Sequence, residues 1–199
     1  MFTHRISSST ATATAVKSRA IERMHADARA PLLAHFLALS AADRRLRFGR
    51  PIAESVIASY VDGIDFARDT VLGVRDAQSQ VIGVAHMAFE GDSAEVGLSV
   101  LPGYRKRGIA SALFGSAVAR ARCYVRGIHM LFPAINAPIL RIARRFGMAV
   151  RFSSGDAEAA STSGPTPRCR SPTDCAGGNL HERDEHHCSE GTLQFNPKE

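Results

Sequence analysis

Apolar positions along the chain follow two rhythms, and the change from one to the other near Gly108 organises the rest. Alternation over Ala94–Val100 predicts a half-buried strand. Beyond Gly108, Ile109, Leu113, Ala117 and Ala121 recur every fourth residue with Ala112, Phe114 and Val118 beside them, which is helical spacing. Upstream, a short strand is predicted at 20–24, then a helix over 28–39 capped by Asp27, with Pro31 tolerated in its first turn. Ser40 caps a second helix over 41–48, which Gly49-Arg50-Pro51 ends, and a third runs over 52–61. Strands Asp69–Arg75 and Gln80–Phe89 are joined by the hairpin-like turn Asp76–Ser79, and Gly91-Asp92 leads into the strand at 94–100. After the main helix come a buried strand, Ile128–Phe132, a helix over 136–146 and a short strand, Met148–Phe152. Antiparallel strands feeding a strand, turn and helix predict an α+β fold rather than a doubly wound sheet.

From Ser153 the periodicity stops, large apolar residues become scarce, and Gly, Pro and Ser accumulate. Such a stretch cannot bury enough surface to offset chain entropy. A disordered start over 1–18, one domain over 19–155 and a disordered or divergent tail over 156–199 are therefore expected. A chain of 199 residues with 45% hydrophobic content has ample material for one core. The Ser/Thr/Ala-rich N-terminus lacks the apolar core of a secretory signal, and no apolar run approaches the roughly 18–20 residues of a membrane span. Of four cysteines, three crowd between Cys169 and Cys188, which makes no disulfide framework, so a reducing cytoplasm is the expected compartment. Cys169, Cys175, His181, His186, His187 and Cys188 match no common zinc-finger spacing, and no metal is expected. The net charge of +6 suits a polyanionic ligand, nucleic acid or an anionic surface alike.

The turn between the two rhythms narrows that choice. Arg105, Lys106 and Arg107 flank a helix start at Gly108, Ile109 and Ala110. Unpaired backbone N–H groups and the helix dipole favour an anion there, and small residues let a phosphate approach the backbone. The physical reading is a pyrophosphate cradle.

Val100-Leu101-Pro102 followed by Arg105-Lys106-Arg107-Gly108-Ile109-Ala110 resembles the acetyl-CoA signature of the GNAT-type N-acetyltransferase superfamily, Gln/Arg-x-x-Gly-x-Gly/Ala after a strand. Asn136 through Met148, NAPILRIARRFGM, is similar to the family's asparagine, helix and terminal Gly-aromatic run. The resemblance covers about residues 20–155 and implies a mixed, mostly antiparallel sheet flanked by helices. It also implies acetyl-CoA as acyl donor and an amine-bearing acceptor. Leu98, Ser99 and Val100 would pair with the pantetheine arm through their backbone. Arg105, Lys106, Arg107, Gly108, Ile109, Ala110 and Ser111 would hold the pyrophosphate. Asn136 would contact the cofactor arm, although asparagine at such a junction is equally a routine N-cap. The family's final strand, partner to the one near 148–152, is expected to be missing or degraded, since only Thr192–Phe195 offers strand composition.

Direct acetyl transfer needs a neutral amine, hence a base. Glu95 matches the family position and shares a strand face with Gly97 and Ser99, a face of small residues suited to a cleft; a surface glutamate is the plain alternative. His86 is of a residue type suited to proton shuttling but shares its face with Ile82, Val84 and Ala88, where a hydrogen-bonded core histidine fits equally. Asp69 reads as a turn or cap residue. Arg44, Arg45, Arg47 and Arg50 read as a solvated helix face, in a region that the resemblance sets against the acceptor pocket. The family often keeps a tyrosine as general acid four residues before the glycine of its Gly-aromatic pair; here that position is Ala143, and Met148 replaces the aromatic. A non-catalytic acyl-CoA-binding protein is the alternative this departure raises. No reading helix or aromatic platform points to nucleic acid, and neither nucleic acid nor membrane is expected as a partner.

Overall fold

The computed structural model describes residues 20–162 and sets the strand, turn and helix of 93–121 at the centre of a seven-stranded sheet. Strands β1 (Ile21–Met24), β2 (Thr70–Arg75), β3 (Val81–Glu90) and β4 (Ser93–Val100) form an antiparallel meander. Strand β4 then pairs in parallel with β5 (Gly127–Pro133), and β5 pairs antiparallel with β7 (Asp156–Thr162), which carries β6 (Ala149–Ser153) on its far side. The β2–β3 turn closes through Asp76, whose Oδ1 accepts from the amides of Gln78 and Gln80, both at 2.9 Å. That geometry is an Asx turn, the local bonding that makes aspartate a turn residue.

Helices α1 (Arg29–Leu37), α2 (Ala41–Phe48) and α3 (Glu54–Asp62) cover the face that carries His86, Gly97 and Ser99. Helix α4 (Ile109–Ala121) covers the opposite face, where Gly83 lets Ile109 and Leu113 come down onto β3. Helix α5 (Ala137–Arg145) lies beside α4, its following Phe146 edge-on to Phe114 at 4.9 Å. Leu32, Phe36 and Ile57 on one side, and Leu113 and Phe114 on the other, are completely buried. No helix among the described residues is long and apolar enough to cross a membrane.

One irregularity of the sheet positions everything that follows. Strands β4 and β5 pair only from Ser93–Glu95 to Gly127–His129. Beyond that point β4 stays with β3 to Val100, while β5 keeps its register with β7 to Pro133. Each strand follows its antiparallel partner, and the sheet opens between them as a notch.

Three expectations need correction. The final strand is present: residues 156–162, read from composition as tail, form β7 inside the sheet, and the domain runs past 155. Its buried face is Ala157 and Ala159, at 2% and 0% exposure, alternating with exposed Asp156 and Glu158. A strand whose inner face is alanine carries the period-2 pattern without the bulk that marks one. Asp27 does not cap α1 by its side chain; it sits in a single 3-10 turn, Ala26–Ala28, ahead of a helix with no side-chain cap. Arg44 and Arg47 do not lie on a solvated face. Arg44 donates to the carbonyls of Leu37 (2.8 Å) and Leu39 (3.0 Å), closing the C-terminus of α1, where a cation is favoured. Arg47 turns inward, as described below. The expectations for 1–18, Thr192–Phe195 and the tail Cys/His cluster lie outside the described residues.

Candidate active site

The notch between β4 and β5 leads into a cavity of about 670 Å³. Leu98, Ser99 and Val100 form one wall, and one side of α5 with its cap, from Asn136 to Arg145, forms the other. The first turn of α4, Gly108 to Ser111, closes it at one end, and Asp43, Leu46 and Arg47 of α2 border it. Every residue expected to hold the cofactor lines this cavity except Arg107. The guanidinium of Arg107 instead lies over the Tyr104 ring, 5.6 Å from its centroid, so its side chain is spent on the turn itself.

The local chemistry explains the cradle. Gly108, the N-cap of α4, has φ +76°, a conformation that strains any residue with a Cβ. Lys106 is also left-handed, at φ +57°. These reversals bring the chain into α4 with no side-chain cap, and the amides of its first turn face the cavity wall they build. Arg105 donates through Nε to the Val100 carbonyl (2.9 Å) and pairs with Asp43 at 2.8 Å, so it braces the turn against α2. Lys106, Arg141 and Arg145 supply the remaining positive charge. Asn136 caps α5, its Oδ1 accepting from the Ile139 amide at 3.4 Å, while Nδ2 donates to the Leu46 carbonyl at 3.4 Å and the residue lines the cavity.

The two candidate bases are diagonal neighbours on one face of β3 and β4, Glu95 pairing with Ala88 and His86 with Gly97, but their surroundings differ. Glu95 is exposed, with 50% of its side chain open, and its Oε2 lies 3.9 Å from Nε2 of His129. It does not line the cavity but stands two residues before Gly97 on the same face of β4. His86 is buried, and both its ring nitrogens are engaged. Nδ1 is hydrogen-bonded to the Tyr60 hydroxyl at 2.6 Å, and Nε2 faces Oδ2 of Asp69 at 3.1 Å. The tyrosine in turn accepts from Nη2 of Arg47 at 2.9 Å, which makes a continuous chain from Arg47 through Tyr60 and His86 to Asp69. Burial raises the pKa of Tyr60, while Arg47 works the other way. A second buried histidine, His35 of α1, bonds the Val81 carbonyl through Nδ1 (2.9 Å) and the Ser99 hydroxyl through Nε2 (2.8 Å). It ties α1 to the wall of the notch.

Sequence reasoning missed Tyr60, Asp69 and His35 as parts of the site, and Arg141 and Arg145 as its cations. Two signals were there. Arg141 and Arg145 stand four apart on the helix after Asn136, hence on one face. His35 is a polar residue inside the apolar stripe of Leu32 and Phe36. Nothing in spacing links Tyr60 to His86. Ala143, at the expected tyrosine position, is fully buried in α5. Tyr104 lines the cavity, with its hydroxyl donating to Asp76 at 2.7 Å. Tyr124 packs edge-on against Phe89 at 6.0 Å and does not line it.

The sheet is thus split between two parallel strands, with a helix start at the base of the split. Residues 44–148 match the family model described as the acetyltransferase (GNAT) family, and the chain belongs to that family. Among solved structures, the GNAT domain of S. lividans PAT is 20% identical with a TM-score of 0.61, covering 73% of this chain and 90% of that one. The phosphinothricin acetyltransferase of Sinorhizobium meliloti, solved with AcCoA, is 16% identical at a TM-score of 0.60, covering 79% of this chain and 97% of its own. The spermidine N-acetyltransferase of Vibrio cholerae, solved with CoA and spermine, is 15% identical at 0.56, covering 72% and 95%. At these identities the likeness is one of fold. A search of curated proteins finds no significant match.

Proposed function

We propose that this chain moves an acetyl group from acetyl-CoA to the amine of an acceptor, with Glu95 as the base. Acetyl-CoA is the acyl donor of the family, and the relatives solved with AcCoA or CoA share this fold. The observation that carries the reading is the notch itself. The edge of β4 at Leu98–Val100, the first turn of α4 and the arginines of α5 converge on one cavity, in the order that a thioester arm and a pyrophosphate require. In the reaction the amine nitrogen bonds to the thioester carbonyl carbon, the C–S bond breaks, and the amine's proton passes to a base. Glu95, half open to solvent two residues before Gly97, would take that proton directly or through one water, with Nε2 of His129 at 3.9 Å from its carboxylate. Buried Ala143 offers no proton to the leaving thiolate. With a thiol pKa of about 8.5, solvent reaching the open notch suffices near neutral pH.

Thermal unfolding with acetyl-CoA at a hundredfold excess over its dissociation constant is expected to show about 2.7 kcal/mol of added stability. Glu95→Gln is expected to keep that stabilisation and to lose about 10²–10⁴-fold in turnover. A wild-type protein that acetyl-CoA does not stabilise would remove the donor site, and a Glu95→Gln protein that no longer responds would make Glu95 structural.

A further inference from the structure

Arg47 is a cation with too few partners. Its Nη2 donates to the Tyr60 hydroxyl at 2.9 Å, and its Nε is buried with no hydrogen-bond partner. No carboxylate among the described residues lies within ion-pairing distance of it, whereas Arg44 meets Glu54 at 3.3 Å and Arg105 meets Asp43 at 2.8 Å. The guanidinium is nonetheless held in place. Phe48, Tyr60 and Phe36 present their rings to it at 4.9, 5.6 and 5.9 Å. Below it is Gly97, where a Cβ would come within 2.3 Å of the guanidinium. A half-buried guanidinium whose buried Nε is left without an acceptor is costly unless something else fills that donor.

Its position says what fills them. Arg47 borders the cavity together with Ser99, and Gly97 beneath it stands between Ser99 and Glu95 on β4. Two residues of extended strand, about 6.6 Å, separate Glu95 from the Gly97 that lies under the guanidinium, so on this face of β4 a carboxylate just outside the cavity and a guanidinium on its border are set about one small molecule apart.

We infer that Arg47 receives a carboxylate of the acceptor, and that the acceptor is a free 2-amino acid, its amine toward Glu95 and its carboxylate on Arg47. The inference rests on the acetyl-transfer reading and names its substrate class. The planar fork of arginine matches a carboxylate, and the surrounding rings lower the dielectric and strengthen the pair. The same charge disfavours acceptors that are purely cationic, such as simple alkylamines and polyamines.

The test uses the twenty protein amino acids one by one, each beside its own primary carboxamide, which keeps the amine and side chain and removes the charge. Binding is read first, as the shift in unfolding temperature of the chain without acetyl-CoA. Initial rates of thiol release with acetyl-CoA follow. At least one acid is expected to stabilise the protein where its amide does not, and to be acetylated with a kcat/KM at least tenfold higher. Arg47→Met is expected to bring that acid down to the level of its amide, with Arg47→Lys between the two. Equal response to acid and amide, or no response to any acid while simple amines are acetylated, overturns the inference and leaves acetyl transfer standing. Absence of both acetyl-CoA stabilisation and turnover with every probe brings down the acetyl-transfer reading, and this inference with it. If Arg47→Met does not fold, the comparison of acid with amide on the wild-type chain decides alone.

Discussion

Protonating His35 tests how the helical layer is held to the wall of the notch. The side chain is 1% exposed, with one ring nitrogen on the Val81 carbonyl and the other on the Ser99 hydroxyl. Burial lowers its pKa from 6.5 to about 4; the Val81 carbonyl opposes that shift and Arg47 adds to it. A lowered pKa on a base means that the folded state prefers the neutral ring. The stability this provides is whole above pH 6.5, declines as pH falls, and is gone below about 4. The gap between the two values sets a ceiling of about 3 kcal/mol, of which about 2 kcal/mol is lost at pH 5. Other groups titrate over the same range, so a single curve does not isolate His35. Urea unfolding at pH 7.5 and pH 5.0 is to be compared between the wild-type chain and His35→Gln, whose amide keeps a donor and an acceptor. The wild type is expected to lose about 2 kcal/mol more than the variant over that interval. Equal losses in the two proteins would refute a buried neutral His35, and a larger loss in the variant would reverse the sign of the argument.

Two further predictions concern packing. In Gly83→Ala the new Cβ would lie 2.8 Å from Cγ2 of Ile109 and 3.2 Å from Cδ1 of Leu113, so it lifts the start of α4 off β3. A loss of about 1–3 kcal/mol in denaturant unfolding is expected, with a smaller stabilisation by acetyl-CoA because that helix start is the cradle. In Ala159→Asp an unpaired carboxylate enters a completely buried position of β7, and a loss of roughly 3–5 kcal/mol is expected, enough to abolish the cooperative transition of a marginally stable domain. Glu158→Ala, on the exposed face of the same strand, is expected to change stability by no more than about 0.5 kcal/mol. Equal effects from the two substitutions would mean that 156–162 is not a strand of the sheet.

Most of the elements were legible because local rules agreed with one another. Ser40 caps α2 as predicted, its hydroxyl accepting from the Asp43 amide at 3.1 Å. The hairpin at Asp76–Ser79 and the switch of period at Gly108 are also where the pattern put them. Strand β7 was lost because alanine buries little area and so leaves little trace in composition, yet it suffices where neighbouring strands supply the bulk. The 3-10 entry to α1 replaced a capped helix start for a similar reason. Ala28 is buried there, and Arg29 reaches across to the carbonyls of Val61, Asp62 (2.9 Å) and Ile64 (2.8 Å), a contact that no window of sequence contains.

The sequence by itself determined the strand, turn and helix at 93–121, the helix start at Gly108, and the strand and turn residues that border the cavity there. These depend on backbone conformation, helix ends and small residues, all encoded within a few positions of one another. Tertiary structure alone decided what Arg47 and His86 do. Arg47 lies 13 residues from Tyr60, which lies 26 from His86, and His86 lies 17 from Asp69. Whether a charged or titratable side chain is solvated, paired or left waiting depends on which strands and helices close over it. That depends on the packing of the whole chain, which local pattern does not carry.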